Sequence, residues 1–341
     1  MATKIAWRLL AFGLCVPLFL LVATRSSSAT VRQKTLHHAG EPSLLLDEKF
    51  LASEPRYKRL ASLEHFTERT LFGKKGPSAN DTLQGDAPDC FLIAAFGAFA
   101  HADPQRLKKQ FARYDDGTLA LDKSGRVRVI FYRRDATGAV HRDLVPITTK
   151  LPLDKNGDPL FAKIVDQKLW VAALEKAFVR WHDKINGDAA SLFPNGKRGW
   201  SRLSGGGASR VFEALSGIPA DGHFLEARPD AAAQVVAIIG DALAHKRAVA
   251  AGSVSDVPSA NARATTLSTP EETVRSPADV RANHAFIVLG TSERDGTPFV
   301  QLRDPNGNRH DSAERTGGTF ELSLSEFVAF FPWLYVEGNA S

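Results

Sequence analysis

The sequence predicts an α+β protein of two lobes, and three observations carry that expectation. Helical patterns cluster in the first half and strand patterns in the second, and a polar stretch from Ser253 to Arg281 interrupts the order just before the closing strands. At 341 residues, 43% of them hydrophobic and 24% charged, with no internal repeat, the chain has material for a large core.

The first 29 residues stand apart. Lys4 and Arg8 precede an apolar run from Leu9 to Ala23, and Ser27-Ser28-Ala29 supplies small side chains for a cleavage site, so 1–29 is expected to be a signal peptide. The run falls short of the ~20 residues that span a bilayer comfortably, which disfavours an uncleaved anchor. Cys15 follows Leu14 rather than a small residue and is not expected to carry a lipid. Export would leave the protein secreted or periplasmic, with no stable membrane association. Losing Lys4, Arg8 and Arg25 lowers the formal charge from +5 to about +2, too little to imply a nucleic-acid partner.

Residues 30–65 are mixed and polar and are expected to be a linker or pro-segment, with the domain beginning near Phe66. Pro88 and Asp89 precede the run from Phe91 to Phe99, which is apolar on nearly every face and predicts a buried helix from Cys90 to about His101. Asp103-Pro104 then caps a second helix carrying Leu107 and Phe111. Val127–Phe131 and Val140–Ile147, joined by Ala136-Thr137-Gly138, predict a hairpin. A broad apolar face predicts a helix over 167–182, and Gly205-Gly206-Gly207 feeds another. A helix over 231–245 precedes a strand at 248–251. Two strands flanking Asp295-Gly296 follow, and a helix whose Ser323 and Glu326 are spaced as a capping box closes the chain. The helical lobe is expected to span 66–220 and the β-rich lobe 221–338.

Cys90 is the one cysteine left after signal removal, so it has no internal disulfide partner. A thiol becomes a strong nucleophile as the thiolate, which a helix N-terminus and a nearby imidazolium both favour. Cys90 stands where the buried helix starts, and Gln84 is placed to return an amide over the same site as an oxyanion donor. Among ten histidines, His284 opens an apolar strand, and the next strand ends at Arg303-Asp304, where Asp304 can fix the imidazole tautomer. On spacing alone, a lone buried Cys and a strand-end His are more often plain packing than a catalytic pair.

Together these segments resemble the calpain family of cysteine proteases. Asp81-Thr82-Leu83-Gln84-Gly85, then Asp89-Cys90-Phe91 and Ala94-Ala95, is similar to the family's nucleophile segment; "LWVAALEKAF", "LSGG" with "EALSG", "NHAFIVLG", "LRDPNG" and "GTFELSLSEFVAFF" follow in the family's order. The resemblance covers roughly 66–337. It implies a two-lobed papain-like fold with Cys90 as nucleophile, His284 as base and acid, Gln84 as oxyanion donor, and Asp304 in place of an asparagine that orients the histidine. Pro88 replaces a glycine, and Asn306 replaces a tryptophan that would shield the triad from water.

The resemblance also implies calcium at one site in the first lobe, held by Asp81 and Glu175. Asn308-Arg309-His310 offers no acid for a second site. A turn aspartate and a solvated helical glutamate are the alternative reading of the first pair. The expected function is that of an exported endopeptidase acting on protein or peptide substrates as a monomer. A papain-like shell that has lost catalysis and binds partners, and a Cys-His-Asp acyl transferase of the transglutaminase type, are the competing expectations.

Overall fold

A computed structural model describes residues 44–45, 60–62, 65–185, 199–225, 231–255, 280–307 and 318–339. The expected signal peptide, the 256–279 part of the polar stretch and Asn308-Arg309-His310 lie outside these residues, and none of the described helices is long and apolar enough to cross a membrane.

Two short strands, β1 (Leu44–Leu45) and β2 (Leu60–Ser62), precede the core. Helix α1 (Glu68–Phe72) follows, opened by a capping box between Thr67 and Thr70. Helix α2 (Cys90–Ala102) is buried along almost its whole length, as a run without a polar face requires. Helix α3 (Pro104–Lys108) starts on the Asp103 cap but lasts only five residues. Phe111 therefore lies not on that helix but bridged to Val129, because Ala112 N–H donates to Arg128 and Ile130 N–H to Gln110. Strands β3 (Val127–Arg134) and β4 (Val140–Ile147) form the expected hairpin, β1 adds to β4 in parallel, and β5 (Lys150–Pro152) pairs with β2. Helix α4 (Trp170–Ile185) and helix α5 (Ala208–Ser216) complete this part, packed with α2 around Phe96, Phe131, Phe178 and Trp181.

The second part is a six-stranded antiparallel sheet. It contains β6 (Asp221–Phe224), β7 (Val249–Gly252), β8 (Ala285–Arg294), β9 (Thr297–Arg303), β10 (Thr319–Ser323) and β11 (Trp333–Val336), in the order β10-β9-β8-β7-β11-β6. Helix α6 (Ala231–Ala244) and helix α7 (Leu324–Phe330) pack on one face around Phe286, Phe327 and Phe331. The capping box from Ser323 to Glu326 forms.

The opposite face of the sheet meets α2. Ala250, Ala285 and Ile287 belong to the same hydrophobic cluster as Leu92, Ile93 and Phe96. Close approach depends on Gly97, since a Cβ there would lie 2.3 Å from Ile287 Cδ1 and 3.1 Å from Thr82 Cγ2. This contact brings the start of α2 to the ends of β8 and β9.

Candidate active site

The first residue of α2 is Cys90, half-buried, preceded by Asp89, whose carbonyl accepts from Leu92 and Ile93 N–H. Within the first helical turn the Phe91 N–H is left to face the sulfur. Across from it, His284 sits one residue before β8. Ser253 just beyond β7 holds its backbone, donating from its N–H to the His284 carbonyl at 2.9 Å and accepting from His284 N–H at its Oγ at 3.0 Å. Phe286 packs edge-on to the imidazole, 4.9 Å between centroids.

Asp304, one residue beyond β9 and fully buried, places Oδ1 2.8 Å from His284 Nε2. Nε2 so engaged leaves Nδ1 for the thiol. Burial opposes charge on both groups, yet their mutual interaction prevails. Burial lowers His284, but the Asp304 carboxylate and Cys90 raise it further, to about 9. Burial raises Cys90, but the hydrogen bond and charge of His284, with backbone N–H groups of Ala285 and Phe91, bring it below the usual thiol value. The pair is thus biased toward thiolate and imidazolium.

Asn306 does not leave the histidine open to water. It is 6% exposed, its backbone N–H donates to Asp304 Oδ1 at 2.7 Å, and its side-chain amide lies 3.0 Å from His284 Nε2. One residue thus touches both the carboxylate and the imidazole. Asp304 already accepts the Nε2 proton, so the Asn306 amide flanks that bond rather than supplying its acceptor. Neither this contact nor the Ser253 clasp was read from the sequence; both depend on turns closing, and the only signal was proximity to Asp304 and to the end of an apolar strand.

Gln84 is buried, and its Nε2 donates to the Ala87 carbonyl at 2.6 Å, using one of two N–H bonds and fixing the amide in the loop before Cys90. Its backbone N–H reaches the Pro305 carbonyl at 2.7 Å, tying this loop to the turn that carries Asp304. Gly85 lies so close to the Phe161 carbonyl, 1.9 Å from where a Cβ would stand, that no side chain fits.

Asp81 and Glu175 do not form the expected cation site. Asp81 Oδ1 accepts from Lys168 Nζ at 2.6 Å and Ser78 Oγ at 3.1 Å; Oδ2 accepts from Trp170 Nε1 at 2.8 Å and Ser78 N–H at 2.9 Å. Glu175 is buried and accepts from Ala162 N–H at 3.3 and 3.1 Å through its two oxygens. Burial raises it to about 7. Burial first, then the charge of Glu175, raises Asp89 well above its ordinary value. A calcium ion wants roughly six to eight oxygen ligands. Here Asp81 is saturated by four donors, Glu175 is engaged through both oxygens by the Ala162 N–H, and no group of three acidic, His or Cys side chains fit for a metal occurs among the described residues. These residues do not fit the ion.

The sequence pattern described as calpain family cysteine protease matches residues 37–317. No curated protein matches the chain.

Proposed function

The chain belongs to the calpain family of cysteine proteases, and on that premise we propose that it is an exported endopeptidase that hydrolyses protein substrates through an acyl-thioester on Cys90. The observation that carries the proposal is His284 Nε2 held 2.8 Å from Asp304 Oδ1, beside a thiol depressed by the same imidazole. The thiolate attacks the scissile carbonyl carbon, and the carbonyl oxygen takes the negative charge, with the first N–H groups of α2 and the second N–H of Gln84 as its donors. Imidazolium Nδ1–H protonates the departing amine as the C–N bond breaks. His284 then takes a proton from water, whose oxygen attacks the thioester, and the returning proton releases the thiol and a free acid. Asp304 holds Nε2–H throughout and stays ionised.

Export rests on the Leu9–Ala23 run and the small residues after it. No step of the mechanism uses calcium.

The test is the rate of Cys90 alkylation by iodoacetamide between pH 4 and 9, alongside cleavage of a fluorescent casein. Alkylation should persist well below the ~8.5 of a free thiol and collapse toward ordinary thiol behaviour in His284→Ala. Cleavage should follow the same acid limb, where the thiolate is protonated, and fall again near the pKa of about 9 of His284, where the imidazolium is lost. Cys90→Ala should lose about 1000-fold or more in kcat. Alkylation with ordinary thiol behaviour throughout would favour a binding shell. Preferential incorporation of an added primary amine over water would favour acyl transfer.

A further inference from the structure

Resting on the peptidase reading of the Cys90 site, we propose that Lys168 is the resident cation of the first lobe: its buried ammonium holds Asp81, and with it the loop leading to Gln84, where a calcium ion would be expected, so the site assembles without metal.

The lysine is built into place. Two consecutive non-glycine residues at positive φ, Asp166 at 49° and Gln167 at 59°, turn the chain into it, and its backbone N–H closes that turn on the Val165 carbonyl at 2.9 Å. Such a turn is costly and persists only where its surroundings over-determine it. The next residue, Leu169, donates to Thr70 at 2.9 Å, and the Lys168 stem lies against Gly73. The side chain is 10% exposed and the Asp81 side chain 2%. With Trp170 and Ser78 supplying the remaining donors, Asp81 has no lone pair aimed at an empty space.

The consequence reaches the catalytic centre through the 78–84 segment and the Arg303 side chain that grips it. Asp81 closes the short turn from Ser78, in which Thr82 Oγ1 donates to the Ala79 carbonyl at 2.6 Å. The carbonyls of Ala79, Asn80 and Thr82 then accept from the Arg303 guanidinium, next to Asp304. Two residues further on, Gln84 N–H meets Pro305. Charge balance at Asp81 therefore sets where the oxyanion loop lies against the histidine lobe.

The experiment uses the mature chain with calcium or with chelator. It reads the melting midpoint, the Cys90 alkylation rate and calcium binding by titration calorimetry, none of which requires peptide cleavage. Wild type should give the same midpoint and alkylation rate in both media and no binding heat at millimolar calcium. Lys168→Met, which keeps the stem but strands a buried carboxylate, should lower the midpoint by roughly 10 °C. Lys168→Arg should recover most of the loss. Combining Lys168→Met with Asp81→Asn should recover part of it, because no charge is then left unpaired. A wild-type midpoint or alkylation rate that rises with calcium, or a Lys168→Met variant indistinguishable from wild type, overturns the proposal. If Lys168→Met does not fold, the wild-type calcium titration still decides. A protein that behaves as expected here yet cleaves no substrate would overturn the peptidase reading and leave the role of Lys168 standing.

Discussion

At the scale of single residues, the site turns on one ring nitrogen with two partners. Asp304 Oδ1 and the Asn306 amide both lie within hydrogen-bond reach of His284 Nε2, which carries one proton. If the amide oxygen stabilises the imidazolium, Asn306→Ala should shift the alkaline limb of the pH–rate profile below its wild-type position. It should also lower kcat about tenfold with KM little changed, since the backbone N–H that anchors Asp304 remains. A limb that moves upward would mean that the amide donates instead. His284 and Asp304 were legible because strand alternation locates strand ends, and both residues stand at such ends. Asn306 was not, because its partner is chosen by a turn closed between Gly307 N–H and the Asp304 carbonyl, and the residue type alone does not reveal that.

At the scale of elements, α2, the β3–β4 hairpin and α4 were legible because each carries its own pattern: an unbroken apolar run, alternation about a glycine turn, and a broad apolar face. Helix α3 was read too long because the spacing of Leu107 and Phe111 suits a helix, while β3 competes for the same backbone and wins at Phe111. Strand β11 went unread. Its four residues lie between β7 and β6, and such a place is set by long-range pairing rather than by anything local. The contact between α2 and β8 yields a prediction at this scale. Gly97→Ala puts a methyl group against Ile287 and Thr82, both fully buried, and should cost about 1–3 kcal/mol in urea unfolding. It should also slow Cys90 alkylation at neutral pH, because the helix that carries the thiol is pushed from the strand that follows the imidazole. Loss of stability with an unchanged alkylation profile would show that α2 slides without parting Cys90 from His284.

At the scale of the whole molecule, the Cys90 and His284 sides of the site meet along a seam of hydrogen bonds to backbone carbonyls centred on Arg303. Its guanidinium serves three carbonyls of the 79–82 turn from the end of the strand that leads to Asp304. Arg303→Met should cost about 2–3 kcal/mol. Peptide hydrolysis should fall further than iodoacetamide alkylation, because the small reagent needs only the thiol and imidazole, whereas a peptide needs the Gln84 loop aligned as well. Equal losses in both assays would place the damage at the ion pair itself. The strands before the core have a consequence of another kind. Leu60–Ser62 covers one side of β5, and Leu44–Leu45 covers one side of β4. Trimming the chain back to Phe66 would bare both flanks and leave their N–H and C=O groups unpaired, in a form suited to capturing a strand from another copy. Trimming of that kind would replace covered strand flanks by open ones, and the length of peptide left ahead of Phe66 would set the tendency to self-associate.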